Sequence, residues 1–202
     1  MRKTAPTKFP IHDLLKERWS PRAFDSRPIA DDMLWSLFEA ARWSPSAVNE
    51  QPWAFIIARQ GGTAYDRLVA ALSGNNQRWA GHAPVLIITL AKLTRNGVPN
   101  RHAYYDVGQA VAHLTIQAES SGIRLRQTGG FDAQQVRQDF SIPEQYDPVT
   151  VIALGYAGKA ENLPEDLRER ENAERSRKPI YDFVFQDLFG KPAESGQSAA
   201  SI

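Results

Sequence analysis

Two short arginine-rich stretches are the strongest candidates for chemistry in this chain. RWSPR (18–22) holds two guanidinium groups around the hydroxyl of Ser20, and RSRKP (175–179) sets Arg175 and Arg177 on one side of an extended segment. Guanidinium forks suit phosphate oxygens because two parallel N–H donors match two acceptors. Each stretch alone is a weak signal, because such a cluster is more often a solvated surface charge. Together they predict an anion site.

Two further stretches carry unusual residues. The segment SPSAVNEQPW (44–53) joins an apolar-periodic helix to a strand, and it contains two prolines, two serines, an asparagine and a final tryptophan. A plain connection needs about two to six residues and rarely this much polar chemistry. TGGFD (128–132) has paired glycines, which allow a backbone to approach a flat ligand closely, although a simple turn explains them as well.

Conventional catalytic devices are missing from the sequence. It contains no GxSxG, HExxH, P-loop or GxGxxG pattern, and its four histidines show no metal-ligand spacing. The absence of cysteine excludes disulfides, thiolate metal sites and a cysteine nucleophile. An enzyme of this composition would need a cofactor to supply the reactivity, and we expect no metal site.

Composition limits the class of protein. The 202 residues are 42% hydrophobic and 23% charged with a net charge of +1, which is ordinary for a globular protein and unlike a nucleic-acid-binding one. No apolar run approaches the 18 residues of a membrane span. We therefore expect a cytoplasmic protein with neither nucleic-acid nor membrane partners.

Hydrophobic periodicity predicts a mixed helix and strand domain. Apolar residues at helical spacing predict four helices, of which the first is short, and continuous apolar runs predict three buried strands. Shorter patterns predict a strand at 123–127 and a helix at 132–140, a loop at 94–102, and a charged surface segment at 159–178. These four helices are 11–19, 31–43, 64–72 and 103–122, and the predicted buried strands are 53–58, 84–91 and 149–156.

The chain shows no composition break that would mark a domain boundary. We expect a flexible lead-in at 1–10, one domain at 11–189 and a flexible tail at 190–202. Residues 179–189 are rich in aromatic and aliphatic side chains but too short to form a core. They need another surface, either their own domain or a partner subunit.

Taken in order, these pieces resemble the nitroreductase family of FMN-dependent oxidoreductases. The specific parts are RWSPRAF (18–24) and PSAVNEQPW (45–53), and the similarity spans about residues 11–185. Further matching pieces are APVLIITL (83–90), YYDVGQAVAHLTIQAESSGI (104–123), GGFD (129–132), VIALGY (151–156) and RSRKP (175–179).

The resemblance implies where the flavin phosphate would lie. Arg18 and Ser20, with the backbone of Trp19, match the family's first phosphate-binding cluster. Arg175 and Arg177 match a second pair that arrives from the far end of the chain.

The resemblance also implies contacts to the flavin ring. Arg22 matches a basic residue that reaches the pyrimidine edge, and Gly129 and Gly130 match the segment whose backbone N–H faces the reactive N5 atom. Asn75 and Arg78 fall where relatives place an asparagine and a basic residue against the ring edge.

A second subunit completes the implied site. Pro45, Ser46 and Asn49 match a loop that packs on the isoalloxazine of the neighbouring chain, and residues 179–189 would extend over the partner. The implied fold is α+β, with a mainly antiparallel sheet wrapped by helices and an intertwined homodimer carrying two FMN sites.

The implied activity is a ping-pong oxidoreductase in which the flavin N5, and no protein side chain, carries the chemistry. NADH or NADPH would donate the hydride, and a nitroaromatic, quinone or similar small molecule would accept the electrons. A specialised reductive enzyme resembling the dehalogenating members, and an FMN-binding protein without turnover, stay open as alternatives.

Overall fold

The computed structural model describes residues 3–193, which form seven strands, seven α-helices and three short 3-10 helices. The strands are β1 (Phe24–Asp25), β2 (Trp53–Arg59), β3 (Val85–Lys92), β4 (Thr94–Arg95), β5 (Val98–Pro99), β6 (Arg124–Thr128) and β7 (Tyr146–Ala157). The helices are α1 (Asp13–Glu17), α2 (Asp31–Arg42), α3 (Thr63–Ala71), α4 (Gly74–Ala80), α5 (Ala103–Ser120), α6 (Ala133–Asp139) and α7 (Glu165–Asn172).

A five-stranded antiparallel sheet forms the centre of the fold. Strand β3 pairs with β2 on one side and with β7 on the other. The 12-residue β7 is long enough to pair on its other edge with β6 and, farther along, with β1. Strand β7 therefore brings the chain just after Arg22 close to the strand that leads into the two glycines.

Helices cover both faces of this sheet. Successive side chains of a strand point to opposite faces, and β3 shows the consequence because it is buried on both. Val85 and Ile87 pack with α2 and α5, whereas Leu86 and Ile88 pack on the other face with α3, α4 and α7. The predicted α+β class with an antiparallel sheet is confirmed. The predicted homodimer stays a prediction.

The central helix α5 forms where apolar and small residues recur at three- and four-residue spacing. Val107, Val111 and Leu114 are buried along one face. The helix ends just before Gly122, whose positive φ of 72° suits a glycine at that position. The predicted central helix is confirmed.

Two parts of the secondary-structure prediction were wrong. Residues 94–102 are not a plain loop, because β4 and β5 pair as a short hairpin. Its turn residues, Asn96 and Gly97, both have positive φ, as a tight hairpin turn requires. The charged segment 159–178 contains α7, which buries Leu167 and Glu171, so it is not only surface.

The N-terminal residues contact α1 and the residue that follows α7. Lys3 Nζ donates to the Ala173 carbonyl at 3.0 Å, and the Ala5 N–H donates to the Lys16 carbonyl at 2.9 Å. The predicted flexible lead-in, single domain and flexible tail stay predictions, and residues 194–202 of that tail lie outside the described residues.

No helix within residues 3–193 combines the length and apolar character needed to cross a bilayer.

Candidate functional site

The two arginine stretches meet in one cleft of about 360 Å³, which we call the arginine cleft. Seven cationic side chains and two acidic ones line it, so its charge is strongly positive. The lining residues are Lys3, Arg18, Trp19, Ser20, Arg22, Arg126, Arg170, Glu171, Ala173, Glu174, Arg175, Ser176 and Arg177.

The first stretch is positioned by the end of α1. Arg18 follows the last turn of this helix, and its Nη1 donates to Ser20 Oγ at 3.0 Å. Arg126 Nη1 on β6 donates to the Ser20 carbonyl at 2.7 Å. The segment that carries the predicted phosphate ligands is thus held by a bond within it and by a bond from the sheet.

The second stretch follows α7 and is fixed by the N-terminal part of the chain. Arg175 Nη1 donates to the carbonyl oxygens of Lys3 and Lys16 at 2.6 and 2.9 Å. Arg177 donates to the neighbouring Ser176 carbonyl at 2.7 Å. Arg175 and Arg177 therefore reach the cleft from a position more than 150 residues away from Arg18 in the sequence.

These guanidinium groups repel one another. The pKa of Arg18 is lowered by burial and then by the nearby charges of Arg175 and Arg177. Burial and the charge of Arg177 likewise lower the pKa of Arg175. An anion among these groups would offset both the repulsion and the lost hydration, so the cleft favours a negatively charged ligand.

A buried carboxylate holds Arg22, and the sequence did not reveal it. Glu171 on α7 is 3% exposed and accepts the Arg22 N–H at 3.0 and 2.9 Å through its two oxygens. It also accepts the Ala23 N–H at 3.4 Å, and the Arg22 guanidinium lies 3.7 Å from its Oε2. Its four-residue spacing from buried Leu167 was the available signal, since both lie on one helix face.

The glycine segment lies against α4. Asn76 Nδ2 donates to Thr128 Oγ1 at 2.7 Å and to the Gly130 carbonyl at 3.0 Å. The Gly130 N–H donates to Thr128 Oγ1 at 3.1 Å, so it has an internal partner. No atom lies within 4 Å of the position that a Cβ on Gly129 would take. The Gly129 side of the segment is therefore the one with room for a ligand.

Trp79 connects the glycine segment with the arginine cleft. Its indole N–H donates to Asn76 Oδ1 at 3.2 Å, and the Arg126 guanidinium lies over its ring, 5.2 Å from the centroid. Trp79 is 2% exposed and stacks with Phe24 of β1. A chain of contacts from Ser20 through Arg126, Trp79 and Asn76 thus fixes both ends of the candidate site relative to each other.

Asn75 and Arg78, predicted at the ring edge, are on the exposed side of α4. Arg78 donates to both carboxylate oxygens of Asp166 at 2.8 and 2.6 Å, and Asn75 Oδ1 lies 3.5 Å from its Nη1. Neither residue lines the arginine cleft. Asn76, next to Asn75, contacts the glycine segment instead.

The loop at 44–53 lies outside the arginine cleft of its own chain, and neither Pro45, Ser46 nor Asn49 lines it. Buried Asp106, in the first turn of α5, accepts the Ala47 N–H at 3.1 Å and so anchors the loop.

The tip of the same loop has a strained backbone. Ser46 Oγ accepts the Gln51 N–H at 3.0 Å, and Val48, Asn49 and Gln51 all have positive φ. Positive φ is costly for a β-branched valine, and such strain clusters at functional sites.

Comparisons with known proteins agree with this geometry. The family model described as "Nitroreductase family" matches residues 15–78 and 63–156. A crystal structure described as an oxidoreductase containing FMN superposes with a TM-score of 0.87 at 31% identity, covering 93% of this chain and 96% of that one.

Two relatives by sequence are similar over most of their length. An uncharacterized 15.4 kDa protein of Mycolicibacterium smegmatis is 32% identical over 68% of this chain and 98% of its own. A protein of Methanothermobacter thermautotrophicus, provisionally named NADH dehydrogenase/NAD(P)H nitroreductase, is 29% identical over 74% of this chain and 78% of its own. The family match, the shared architecture and the converging arginines lead to one conclusion, that the chain belongs to the nitroreductase family.

Proposed function

We propose that the protein is an FMN-dependent oxidoreductase that transfers hydride equivalents from NADH or NADPH to a nitroaromatic, quinone or similar acceptor. The observation that carries this proposal is the arginine cleft, in which Arg18, Ser20 and Arg22 meet Arg175 and Arg177. The name of the structural relative that contains FMN and the name of the relative called an NAD(P)H nitroreductase support the same chemistry.

The cleft fits the phosphate of FMN by charge. A phosphomonoester carries nearly two negative charges at neutral pH and several acceptor oxygens. Arg18, Arg175 and Arg177 would supply the guanidinium donors, and the Ser20 hydroxyl and the Trp19 backbone would complete the set. Burial, and then the charges of neighbouring arginines, lower the pKa of Arg18 and of Arg175, and a bound phosphate would offset both effects.

The other end of the site fits the flavin ring. When bound, FMN would supply the redox chemistry by accepting a hydride and passing the electrons on, in a ping-pong cycle. Arg22, held by Glu171, would place positive charge near the pyrimidine edge. Gly129 would present its backbone to the N5 region, since the space beside its Cα is open. Arg78 and Asn75, on the exposed side of α4, would then contact the edge of the flavin ring.

A second copy of the chain would complete each site. Pro45, Ser46 and Asn49 lie outside their own cleft, on a loop that Asp106 anchors through the Ala47 N–H, which suits a loop that serves a neighbour. Large apolar side chains are exposed around this loop and on α2 and α5, as a subunit interface requires. They are Trp35, Trp43, Val48, Tyr104 and Tyr105. Residues 179–189 would extend over the partner.

Stopped-flow absorbance tests the proposed function. The purified protein should show an oxidised flavin spectrum that NADH or NADPH bleaches anaerobically. A nitrofuran or quinone added afterwards should restore the spectrum, with one nicotinamide consumed per two electrons delivered. If neither nicotinamide bleaches a bound flavin, the oxidoreductase proposal is wrong and a binding role replaces it.

A further inference from the structure

The chain around the hairpin of β4 and β5 is basic, and we call residues 92–102 the basic hairpin. It contains Lys92, Arg95, Arg101 and His102 and no aspartate or glutamate. The Arg95 side chain is 42% exposed, and Arg101 and His102 are exposed. Positive charge that is concentrated on one short surface segment favours a negatively charged ligand.

The basic hairpin is fastened to the loop at 44–53 by two contacts. Arg95 Nε lies 3.0 Å from Glu50 Oε2, and the Lys92 N–H donates to the Pro52 carbonyl at 2.8 Å. One contact joins side chains and the other joins the two backbones. The basic hairpin and the loop are therefore held next to each other.

This attachment decides where Arg95 lies relative to the proposed flavin ring. Glu50 directly follows Asn49, which is proposed to contact the ring bound by the neighbouring chain. In that dimer, Arg95 would lie beside the flavin that the neighbouring chain holds. The hydride donor has to approach the same ring.

The Arg95 guanidinium has donors available for a ligand. Its ion pair with Glu50 is made through Nε, and it makes no hydrogen bond to another residue within 3–193. Val98, its partner across the hairpin, is 63% exposed and adds apolar surface on the same side. A ligand would thus meet a free guanidinium fork next to an apolar side chain.

The chemistry of a guanidinium fork selects among the proposed reactants. It suits paired phosphate oxygens, and NADH and NADPH both carry a diphosphate one ribose away from the nicotinamide. Quinones and nitroaromatics carry no phosphate. We propose that Arg95 binds the diphosphate of NADH or NADPH while the nicotinamide reaches the flavin held by the neighbouring chain. This inference rests on the function proposed above and names the residue that recognises its hydride donor.

Stopped-flow reduction of the bound flavin tests the inference, because a ping-pong cycle allows each half-reaction to be measured alone. In Arg95→Gln, the dissociation constants of NADH and of NADPH should both rise about five- to tenfold, since a charge-assisted contact at a partly exposed site is lost. The limiting rate of hydride transfer, the FMN affinity and the rate of reoxidation by an uncharged quinone should each change less than about twofold.

Further measurements separate phosphate recognition from a structural effect. N-benzyl dihydronicotinamide donates hydride but carries no phosphate, so Arg95→Gln should change its rate of flavin reduction less than about twofold. Arg95→Lys keeps the charge and should stay within about threefold of the wild-type affinity for NADH. Raised ionic strength should weaken NADH binding more in the wild type than in Arg95→Gln.

Arg59→Gln is the matched control. Arg59 is also a strand arginine that forms an ion pair, in its case with Asp31, and its side chain is 47% exposed. It lies at the end of β2 that is farther from the loop at 44–53. Both donors should therefore bind this variant as they bind the wild type.

Each contrary result has its own meaning. Unchanged affinity for NADH and NADPH in Arg95→Gln overturns the inference, and so does an equal loss with N-benzyl dihydronicotinamide. A loss confined to NADPH also overturns it, because the 2′-phosphate and not the diphosphate would then be the group recognised. If neither nicotinamide dinucleotide bleaches the wild-type protein, the proposed function itself fails and the inference falls with it.

Discussion

The side-chain amide of Asn76 donates to the carbonyl oxygen of Gly130 at 3.0 Å, and this contact fixes the backbone of the glycine segment. The same nitrogen lies 2.9 Å from Ser73 Oγ and 2.7 Å from Thr128 Oγ1. The Asn76 carbonyl oxygen in turn accepts the indole N–H of buried Trp79. One neutral side chain of α4 therefore joins β6, the glycine segment and the core.

Replacing Asn76 with alanine should loosen the glycine segment. The change leaves the buried Trp79 indole N–H without its partner and removes one of the two donors to the Gly130 carbonyl, which keeps the Ser73 N–H. We therefore expect the free energy of unfolding to fall by about 1–3 kcal/mol. Hydride transfer should slow, while FMN affinity, which depends on the arginine cleft, should change little. Urea unfolding and stopped-flow reduction measure the two effects.

Asn75→Ala is the matched control for stability, because Asn75 is exposed on the same helix. It should change the free energy of unfolding by less than about 0.5 kcal/mol. A larger loss in Asn75→Ala than in Asn76→Ala would show that the contacts described for α4 are not the ones that hold the site.

The two glycines should respond differently to a methyl group. A Cβ on Gly130 would lie 2.4 Å from Asn76 Nδ2 and 2.9 Å from Ser73 Oγ, whereas one on Gly129 meets nothing within 4 Å. Gly130→Ala should therefore cost about 1–3 kcal/mol and Gly129→Ala very little. In an Asn76→Ala background the cost of Gly130→Ala should shrink, and a double-mutant cycle measures this coupling. Strictly additive effects would contradict the assigned contact.

The fold was predictable where one local pattern specifies one element. Val107, Val111 and Leu114 repeat at helical spacing, and α5 follows them. The continuous apolar run of β3 is buried on both faces. By contrast, α4 buries only Trp79 and Ala80, so its sequence lacks an apolar stripe.

The residues of the candidate site also differ in how far the sequence alone could identify them. Arg18 and Arg175 could be predicted because each lies in a short arginine-rich stretch that matches the family pattern, and guanidinium groups suit a phosphate. Glu171 looks like one more surface acid, and its role depends on α7 packing beside Arg22, 149 residues away. The choice between Asn75 and Asn76 likewise depends on which face of α4 meets β6, which two adjacent identical residues do not reveal.

Removing arginines from both ends of the chain should release the cofactor without unfolding the protein. In Arg18→Ala combined with Arg175→Ala, FMN affinity should fall at least a hundredfold, since two charge-assisted contacts of about 1.5–3 kcal/mol each are lost. Circular dichroism should stay unchanged, because relief of the repulsion between these cations offsets the lost bonds from Arg175 to the Lys3 and Lys16 carbonyls. Arg67→Ala, an exposed arginine on α3, is the control. A double variant that stays fully yellow would refute the phosphate assignment.

Glu171 should matter for stability as well as for the position of Arg22. Glu171→Gln replaces one acceptor oxygen with an amide group that faces the N–H groups of Arg22 and Ala23, and it removes the charge beside the Arg22 guanidinium. We expect a loss of about 2–4 kcal/mol in urea unfolding and a shifted reduction potential of bound FMN. Glu174→Gln, exposed on the same segment, should change the free energy of unfolding by less than about 0.5 kcal/mol. Equal effects of the two variants would contradict the role of Glu171.

Stability at high pH should depend on Tyr65 of α3. Its hydroxyl donates to the Ala83 carbonyl at 2.5 Å, and burial, with a smaller effect of Asp66, raises its pKa to about 12. An unfolded tyrosine ionises near pH 10, so between pH 10 and 12 the unfolded state has lost a proton that the folded state still holds. The free energy of unfolding therefore falls as the pH rises through this window, and it is unaffected by this group below pH 10.

Tyr65→Phe should be less stable than wild type by about 1 kcal/mol at pH 8 because the hydrogen bond is gone. That difference should shrink between pH 10 and 12, whereas a constant difference across the window would show that the Tyr65 hydroxyl titrates alike in both states.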